Sequence, residues 1–78
     1  MQIRVKLHAS LRKYLPRDAV EDTVLLELPA GATVAEAVSA LGIPSGHAKI
    51  AMIDGAQADL GTVLQEGQQL SLFPPLAG

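Results

Sequence analysis

The stretch TVAEAVSAL, residues 33–41, decides the fold of this chain. Thr33 is a good helix N-cap, and Glu36, three residues later, completes a capping box in which each residue accepts a hydrogen bond from the other's backbone. Gly42 stands where a helix C′ residue belongs, and Pro44 follows. One helix face is apolar: Val34, Ala37, Val38 and Leu41. The stretch therefore predicts an amphipathic helix that covers a hydrophobic layer.

Five segments around this helix predict strands. Residues 2–8 and 23–28 precede it, and each alternates between apolar and polar side chains, as half-buried strands do. Residues 49–53, 57–60 and 68–73 follow it. The order is strand, short helix, strand, long helix and three strands. This order predicts an α+β fold in which one main helix covers one face of a small mixed sheet.

Local signals refine this arrangement. Ser10 is a candidate N-cap for the short helix, with Leu11 and Leu15 one turn apart. Asp54-Gly55 indicates a hairpin turn between two strands. The strand residues predicted to point into the core are Ile3, Val5, Leu7, Val24, Leu26, Leu28, Leu70 and Leu72. Phe73 then points away from the core, where a large exposed apolar group commonly marks an interface.

Composition excludes several functions. The chain has 78 residues, enough for one domain, with a net charge of −2 and no cysteine. It has no basic stripe for nucleic acid and no apolar run of about 20 residues for a membrane span, so the cytosol is the predicted location. His8 and His47 are separated and fit no metal-ligand spacing, so no metal site is predicted. Because nothing assembles a nucleophile, a base and an oxyanion site, a stand-alone enzyme is not expected.

The tail, residues 74–78, is the strongest functional signal. Pro74 and Pro75 fix φ and remove two backbone donors, so neither a strand nor a helix continues past Phe73. We predict a domain over residues 1–73 and an extended tail that spans at most about 16 Å. Gly78 has no Cβ and suits a narrow channel. On these residues alone, a frayed terminus and a working tail both stay open.

The chain resembles the ubiquitin-like β-grasp sulfur carriers of the MoaD/ThiS family, most closely the branch of molybdopterin synthase small subunits. The resemblance covers essentially the whole chain. Its specific part is Leu72-Phe73-Pro74-Pro75-Leu76-Ala77-Gly78. Weaker matches are LRKYL at residues 11–15, GATV at residues 31–34 and LQEG at residues 64–67.

The resemblance implies a carrier whose catalytic groups belong to its partners. An ATP-dependent activating enzyme would adenylate the carboxylate of Gly78, and a sulfur donor would convert the acyl-adenylate to a thiocarboxylate. The tail would then enter the large subunit of molybdopterin synthase, which builds the dithiolene with that sulfur. The carrier itself is expected to bind no cofactor. The residues expected to contact the partners are Phe73, Pro74, Pro75, Leu76, Ala77 and Leu60.

The tail departs from the family's pattern, which usually ends in Gly-Gly, four residues after Phe-Pro-Pro. Only three residues follow Pro75, which would hold the carboxylate back by about 3.3 Å. Three explanations stay open: partners that accept this tail, a further glycine in the encoded protein, or a relative that no longer carries sulfur. Two other functions also stay open. One is a thiazole-pathway sulfur carrier, and the other is an interaction module or ubiquitin-like modifier joined through Gly78.

Overall fold

The computed structural model describes residues 1–75. The strands are β1 (Gln2–Leu7), β2 (Thr23–Glu27), β3 (Ile50–Ile53), β4 (Ala56–Ala58) and β5 (Gln69–Phe73), and the α-helix is α1 (Val34–Ala40). A 3₁₀-helix, Ala9–Tyr14, follows β1. The predicted order of elements and the α+β class are confirmed. Apart from β4, each strand differs from its predicted range by one residue at one end.

The five strands form one mixed sheet in the order β2-β1-β5-β3-β4. β1 and β5 run parallel at its centre, and the other neighbouring pairs are antiparallel. The parallel register pairs Val5 with Leu70 and Leu7 with Leu72, and all four side chains are fully buried. The first and last strands of the sequence are therefore joined in the middle of the sheet.

The hydrophobic core lies between α1 and one face of the sheet, which we call the core face. Val34, Ala37 and Val38 of α1 are buried there, as the helix pattern predicted. The buried strand residues are Ile3, Val5, Leu7, Val24, Ala51, Ile53, Leu70 and Leu72. Leu26 was predicted inside but is only half-buried, because β2 is an edge strand. Burying each Val, Leu or Ile side chain of this layer contributes roughly 1.5–3 kcal/mol to the free energy of unfolding.

The predicted caps of α1 are confirmed at both ends. Thr33 Oγ1 accepts a hydrogen bond from the Glu36 N–H at 3.4 Å, and Glu36 Oε1 accepts one from the Thr33 N–H at 3.3 Å. At the other end, Gly42 has φ +74, and the Ile43 N–H donates to the Val38 carbonyl at 3.2 Å. This is a Schellman motif. No helix within residues 1–75 is long and apolar enough to cross a membrane.

The short helix after β1 differs from the prediction. It is a 3₁₀-helix, and its N-cap is His8 rather than Ser10, with no side-chain cap. Ala9 takes φ +53 and turns the chain directly after β1, and the Leu11 N–H donates to the His8 carbonyl at 3.1 Å. Leu11 is buried while Ser10 is exposed. Burial of Leu11 thus decides where this helix begins, and the hydroxyl of Ser10 takes no part.

The predicted hairpin turn is confirmed, but the strand after it is shorter and earlier than predicted. Asp54 and Gly55 have φ +48 and +87, as a type I′ turn requires. This two-residue turn sets Ala56 directly opposite Ile53, so pairing resumes at once. β4 therefore occupies Ala56–Ala58 and not residues 57–60.

The capping box predicts a measurable loss of stability when its hydroxyl is removed. We expect Thr33→Ala to lower the free energy of unfolding by about 1 kcal/mol, because the Glu36 N–H in the first turn loses its acceptor, Thr33 Oγ1. Urea unfolding followed by circular dichroism measures the change. Ser39→Ala is the matched control, since Ser39 is exposed within the same helix and caps nothing. Equal stabilities for the two variants would contradict the role of Thr33.

Candidate functional site

The described part of the tail begins where the sheet ends. Phe73 is the last residue of β5, and it lies on the face opposite to the buried Leu70 and Leu72, as predicted. The Phe73 carbonyl accepts a hydrogen bond from the Lys49 N–H at 3.0 Å. The next residue is a proline without an N–H, so regular pairing cannot continue. The extent of the tail over residues 74–78 stays a prediction, because its last three residues lie outside the described part.

A groove of about 580 Å³ lies beside Phe73. We call it the tail-root groove. Its lining within residues 1–75 is Ala9, Ser10, Ile50, Met52, Phe73, Pro74 and Pro75. Ser10 is the one polar residue in this set. Residues from β3, β5, the 3₁₀-helix and the tail thus form one apolar surface.

The tail-root groove lies on the open face of the sheet, which α1 does not cover. Ile50 and Met52 alternate along β3 with Ala51 and Ile53, which face the core and are buried. The register pairs Ile50 with Phe73, so both residues stand side by side on the open face. Grouped apolar side chains on an uncovered face are typical of an interaction surface.

His8 lies flat against Phe73 at one edge of this surface. The two ring centroids are 4.1 Å apart, and the ring planes differ by 13°. The His8 N–H donates to the Leu72 carbonyl at 3.1 Å, which fixes the residue to β5. Phe73 was predicted to be exposed, but it is half-buried because the imidazole covers one side of its ring.

The environment of His8 favours the neutral imidazole. Burial lowers its pKa below the ordinary histidine value, and the charge of Lys6 lowers the pKa further, while Asp22 acts in the opposite direction. Asp22 also lies 3.9 Å from Arg12 in an exposed ion pair, which contributes little to stability. Within residues 1–75, no three His, Asp or Glu side chains come together as a metal site would require.

The remaining predicted site residues do not join the tail-root groove in the described structure. Leu60 is 49% exposed and lines a separate cleft of about 400 Å³ beside α1. Its carbonyl accepts a hydrogen bond from the Ala35 N–H at 2.9 Å. Leu76, Ala77 and Gly78 lie outside the described residues. The structure thus groups the three predicted residues of the tail root and separates Leu60 from them.

Sequence reasoning missed Ile50, Met52 and His8. The segment IAMI has an apolar residue at every position, which is typical of a strand covered on both faces, and that signal could have revealed a second apolar surface. The alternation of residues 2–8 places His8 on the polar face of its strand and gives no sign of an aromatic contact. Its contact with Phe73 depends on the parallel register of two strands distant in sequence, so no local pattern contains it.

A mixed sheet with parallel first and last strands, covered by one helix, defines the ubiquitin-like β-grasp class of proteins. The predicted resemblance to this class is confirmed. Within the class, the chain belongs to the Mut7-C ubiquitin family, whose model matches residues 1–77. No curated protein matches the sequence.

Solved structures show the same fold. The chain is similar to SAMP1 of Haloferax volcanii, with 28% identity, a TM-score of 0.73, and coverage of 100% of this chain and 99% of that one. A putative molybdopterin converting factor subunit 1 from Pyrococcus furiosus has 22% identity and a TM-score of 0.70, and the match covers 96% of this chain and 98% of that one. A chain of the Helicobacter pylori complex of molybdopterin-converting factor subunits 1 and 2 has 19% identity and a TM-score of 0.62, and the match covers 100% of this chain and 99% of that one. The last two likenesses show the shared fold alone.

The ring stack predicts a spectroscopic signature. We expect the ring-proton NMR signals of His8 to move downfield in a Phe73→Leu variant, because they lose the shielding of the aromatic ring above them. Carbon–proton correlation spectra of the two proteins measure the change. The His47 ring signals serve as the internal control, since His47 lies in an exposed loop. Unmoved His8 signals would contradict the stack.

Proposed function

We propose that this chain is a ubiquitin-like sulfur carrier that serves as the small subunit of molybdopterin synthase. The observation that supports this function best is the tail-root groove. It gathers Phe73, Pro74 and Pro75 with the β3 residues Ile50 and Met52 into one apolar surface at the base of the tail. A partner bound to this surface holds the domain while the tail reaches into the partner's active site.

The chemistry takes place on the carboxylate of Gly78. A carboxylate is a poor electrophile, so the activating enzyme transfers AMP to it from ATP and releases pyrophosphate. A sulfur donor then delivers sulfur at the oxidation level of sulfide, which attacks the acyl carbon and expels AMP, so that a thiocarboxylate remains. In the large synthase subunit, this sulfur is passed on to build the dithiolene. The carrier needs no nucleophile or base of its own for any of these steps.

The chain's own contribution is binding and positioning. Pro74 and Pro75 have a fixed φ, so the tail loses less conformational entropy when a partner holds it extended. Contact at the tail-root groove then sets how far Gly78 reaches, and a misplacement of about 1 Å can cost about 100-fold in rate. Docking at the tail-root groove and delivery of Gly78 thus depend on each other.

Two partners follow from this proposal. The structure from Helicobacter pylori is a complex of subunits 1 and 2 of molybdopterin-converting factor, which supports a large-subunit partner for a chain of the same fold. The carboxylate chemistry requires the second partner, an adenylating enzyme. ATP binds to that enzyme, and the carrier itself holds no cofactor.

Protein modification is a second candidate function. SAMP1 of Haloferax volcanii, a small archaeal modifier protein by its name, shares 28% of its residues with this chain. A modifier uses the same activation of its terminal carboxylate, but the final acceptor is an amine of another protein. The tail-root groove serves either function, since both need an activating enzyme.

The carrier function predicts a gain of mass at the terminus. After incubation of the full chain with ATP, a sulfur donor and the host's activating enzyme, we expect intact-mass spectrometry to show replacement of one oxygen by sulfur, localised to Gly78. A variant with one glycine added after Gly78 is the matched comparison for tail length. If neither form gains sulfur, the carrier function is wrong.

The acceptor separates the two candidate functions. With the host's large synthase subunit and its pterin substrate present, the molybdopterin role predicts that the sulfur is lost and the carrier's ordinary mass returns. Transfer of the whole chain to lysine side chains of other proteins, stable to thiol reductants, would instead favour the modifier.

Docking at the tail-root groove predicts a second result. We expect Phe73→Ala to weaken binding to the large subunit at least about tenfold, because a partly buried aromatic residue at the centre of a contact surface is a typical hot spot. Isothermal titration calorimetry measures the affinity. Val63→Ala is the control, since Val63 is 54% exposed and lies beside Thr33 on the helix side. Equal affinities for the parent and Phe73→Ala would remove Phe73 from the interface.

A further inference from the structure

We propose that the neutral imidazole of His8 is a positioning residue: it supports the ring of Phe73 for docking, and its protonation releases that ring and weakens partner binding. The effect on partner binding rests on the proposed function. The coupling between the two rings is a property of the free chain and can be measured without any partner.

Two backbone hydrogen bonds hold His8 beside Phe73. Its N–H donates to the Leu72 carbonyl at 3.1 Å, and its carbonyl accepts from the Leu11 N–H at 3.1 Å. Leu72 and Leu11 are both buried, so the two anchors are part of the core. The imidazole consequently stacks on Phe73, with ring centroids 4.1 Å apart. It fixes the orientation of the largest side chain in the tail-root groove.

The stacked arrangement suits only the uncharged ring. His8 Nε2 is buried and finds no hydrogen-bond partner within residues 1–75. In the neutral imidazole, one ring nitrogen carries no proton, and Nε2 fills that role as a buried lone pair. In the imidazolium both nitrogens are donors, so Nε2–H would be a charged and unsatisfied buried donor. The ring must then leave Phe73 to reach water.

On balance, the charged groups around His8 also favour the neutral imidazole. Lys6 precedes it by two residues on the open face of β1 and opposes a second positive charge. Asp22 favours the charge, but its effect is smaller than that of Lys6, and Arg12 of the 3₁₀-helix lies 3.9 Å from Asp22. Lys13 of the same helix lies over the Tyr14 ring. β5 carries no charged residue.

A positive imidazole above Phe73 also gains a cation–π attraction. Release of the ring requires that the cost of the buried, unsatisfied Nε2–H donor exceeds this attraction. Burial, the largest cause of the lowered pKa of His8, acts in the direction of release.

The direction of the pH effect follows from this lowered pKa. Between the folded-state pKa and the higher ordinary pKa of histidine, the unfolded chain binds more protons than the folded chain, so stability falls as the pH is lowered. The contribution is fully present above the ordinary pKa of about 6.5 and is lost as the pH falls through the folded-state value. Docking that needs the stacked Phe73 loses affinity over the same acidic range.

The first experiment uses the free full chain. Ring signals of His8 and Phe73 are followed by NMR from about pH 8 to about pH 4.5, a range that spans histidine titration. We expect both sets of signals to move with one shared midpoint, below that of an unstructured histidine peptide. Phe73 signals that stay unmoved while His8 titrates would overturn the proposal, because the imidazole would then not hold the ring.

The second experiment compares binding to the host's large synthase subunit at about pH 7.5 and about pH 5.5. For the parent we expect weaker binding at the lower pH, by less than about tenfold, because an imidazole whose pKa lies below the ordinary value of about 6.5 is less than about nine-tenths protonated at pH 5.5. His8→Phe keeps a flat ring on Phe73 but cannot titrate, so its affinity should match the parent's at the higher pH and lose less at the lower pH. His47→Gln should keep the parent's full pH dependence.

If His8→Phe fails to fold, the variant His8→Gln tests the positioning role of His8 instead. It removes both the stack and the titration, so we expect weak binding at both pH values. An affinity of His8→Gln equal to the parent's at the higher pH would overturn the positioning role. If the large subunit binds at no pH, the proposed partner is wrong, and the NMR titration alone decides whether His8 holds Phe73.

Discussion

The parallel pairing of β1 with β5 is the constraint on which the rest of this structure depends. It sets Val5 beside Leu70 and Leu7 beside Leu72, and all four side chains are fully buried. The same register determines what lies on the other face and at the end of the pair. Because β1 ends beside the end of β5, His8 meets Phe73, and the tail leaves the sheet at that point. The core and the candidate site are thus two consequences of one pairing.

The two faces of the sheet have different roles. The core face, covered by α1, holds the fold together, and its aliphatic layer leaves no side chain for chemistry. The open face presents Ile50, Met52 and Phe73 beside the root of the tail. Such a division suits a protein whose reactive group is its terminal carboxylate, since the domain only has to be recognised and held. Recognition at the root and reaction at the tip can then be shared among several partners.

The parts that local sequence determines were predictable. The Thr33–Glu36 capping box, the cap at Gly42 and the Asp54-Gly55 turn each depend on residues within a few positions of one another, and all three are present. The predictions were wrong where tertiary contacts determine the bounds of an element or the burial of a side chain. Burial of Leu11 set the start of the 3₁₀-helix, and the edge position of β2 left Leu26 half-exposed. The stack of His8 on Phe73 joins residues 65 positions apart through a parallel register, which no local pattern encodes.

Methyl and amide chemical-shift mapping tests the central claim most directly. The isotope-labelled full chain is titrated with the host's activating enzyme and, separately, with the large synthase subunit. A docking surface at the tail root predicts that the largest changes fall on Ile50, Met52 and Ala9, with both partners. Changes confined to the cleft beside α1, at Val38 and Leu60, would contradict it, because the open face would then not be the surface that partners recognise.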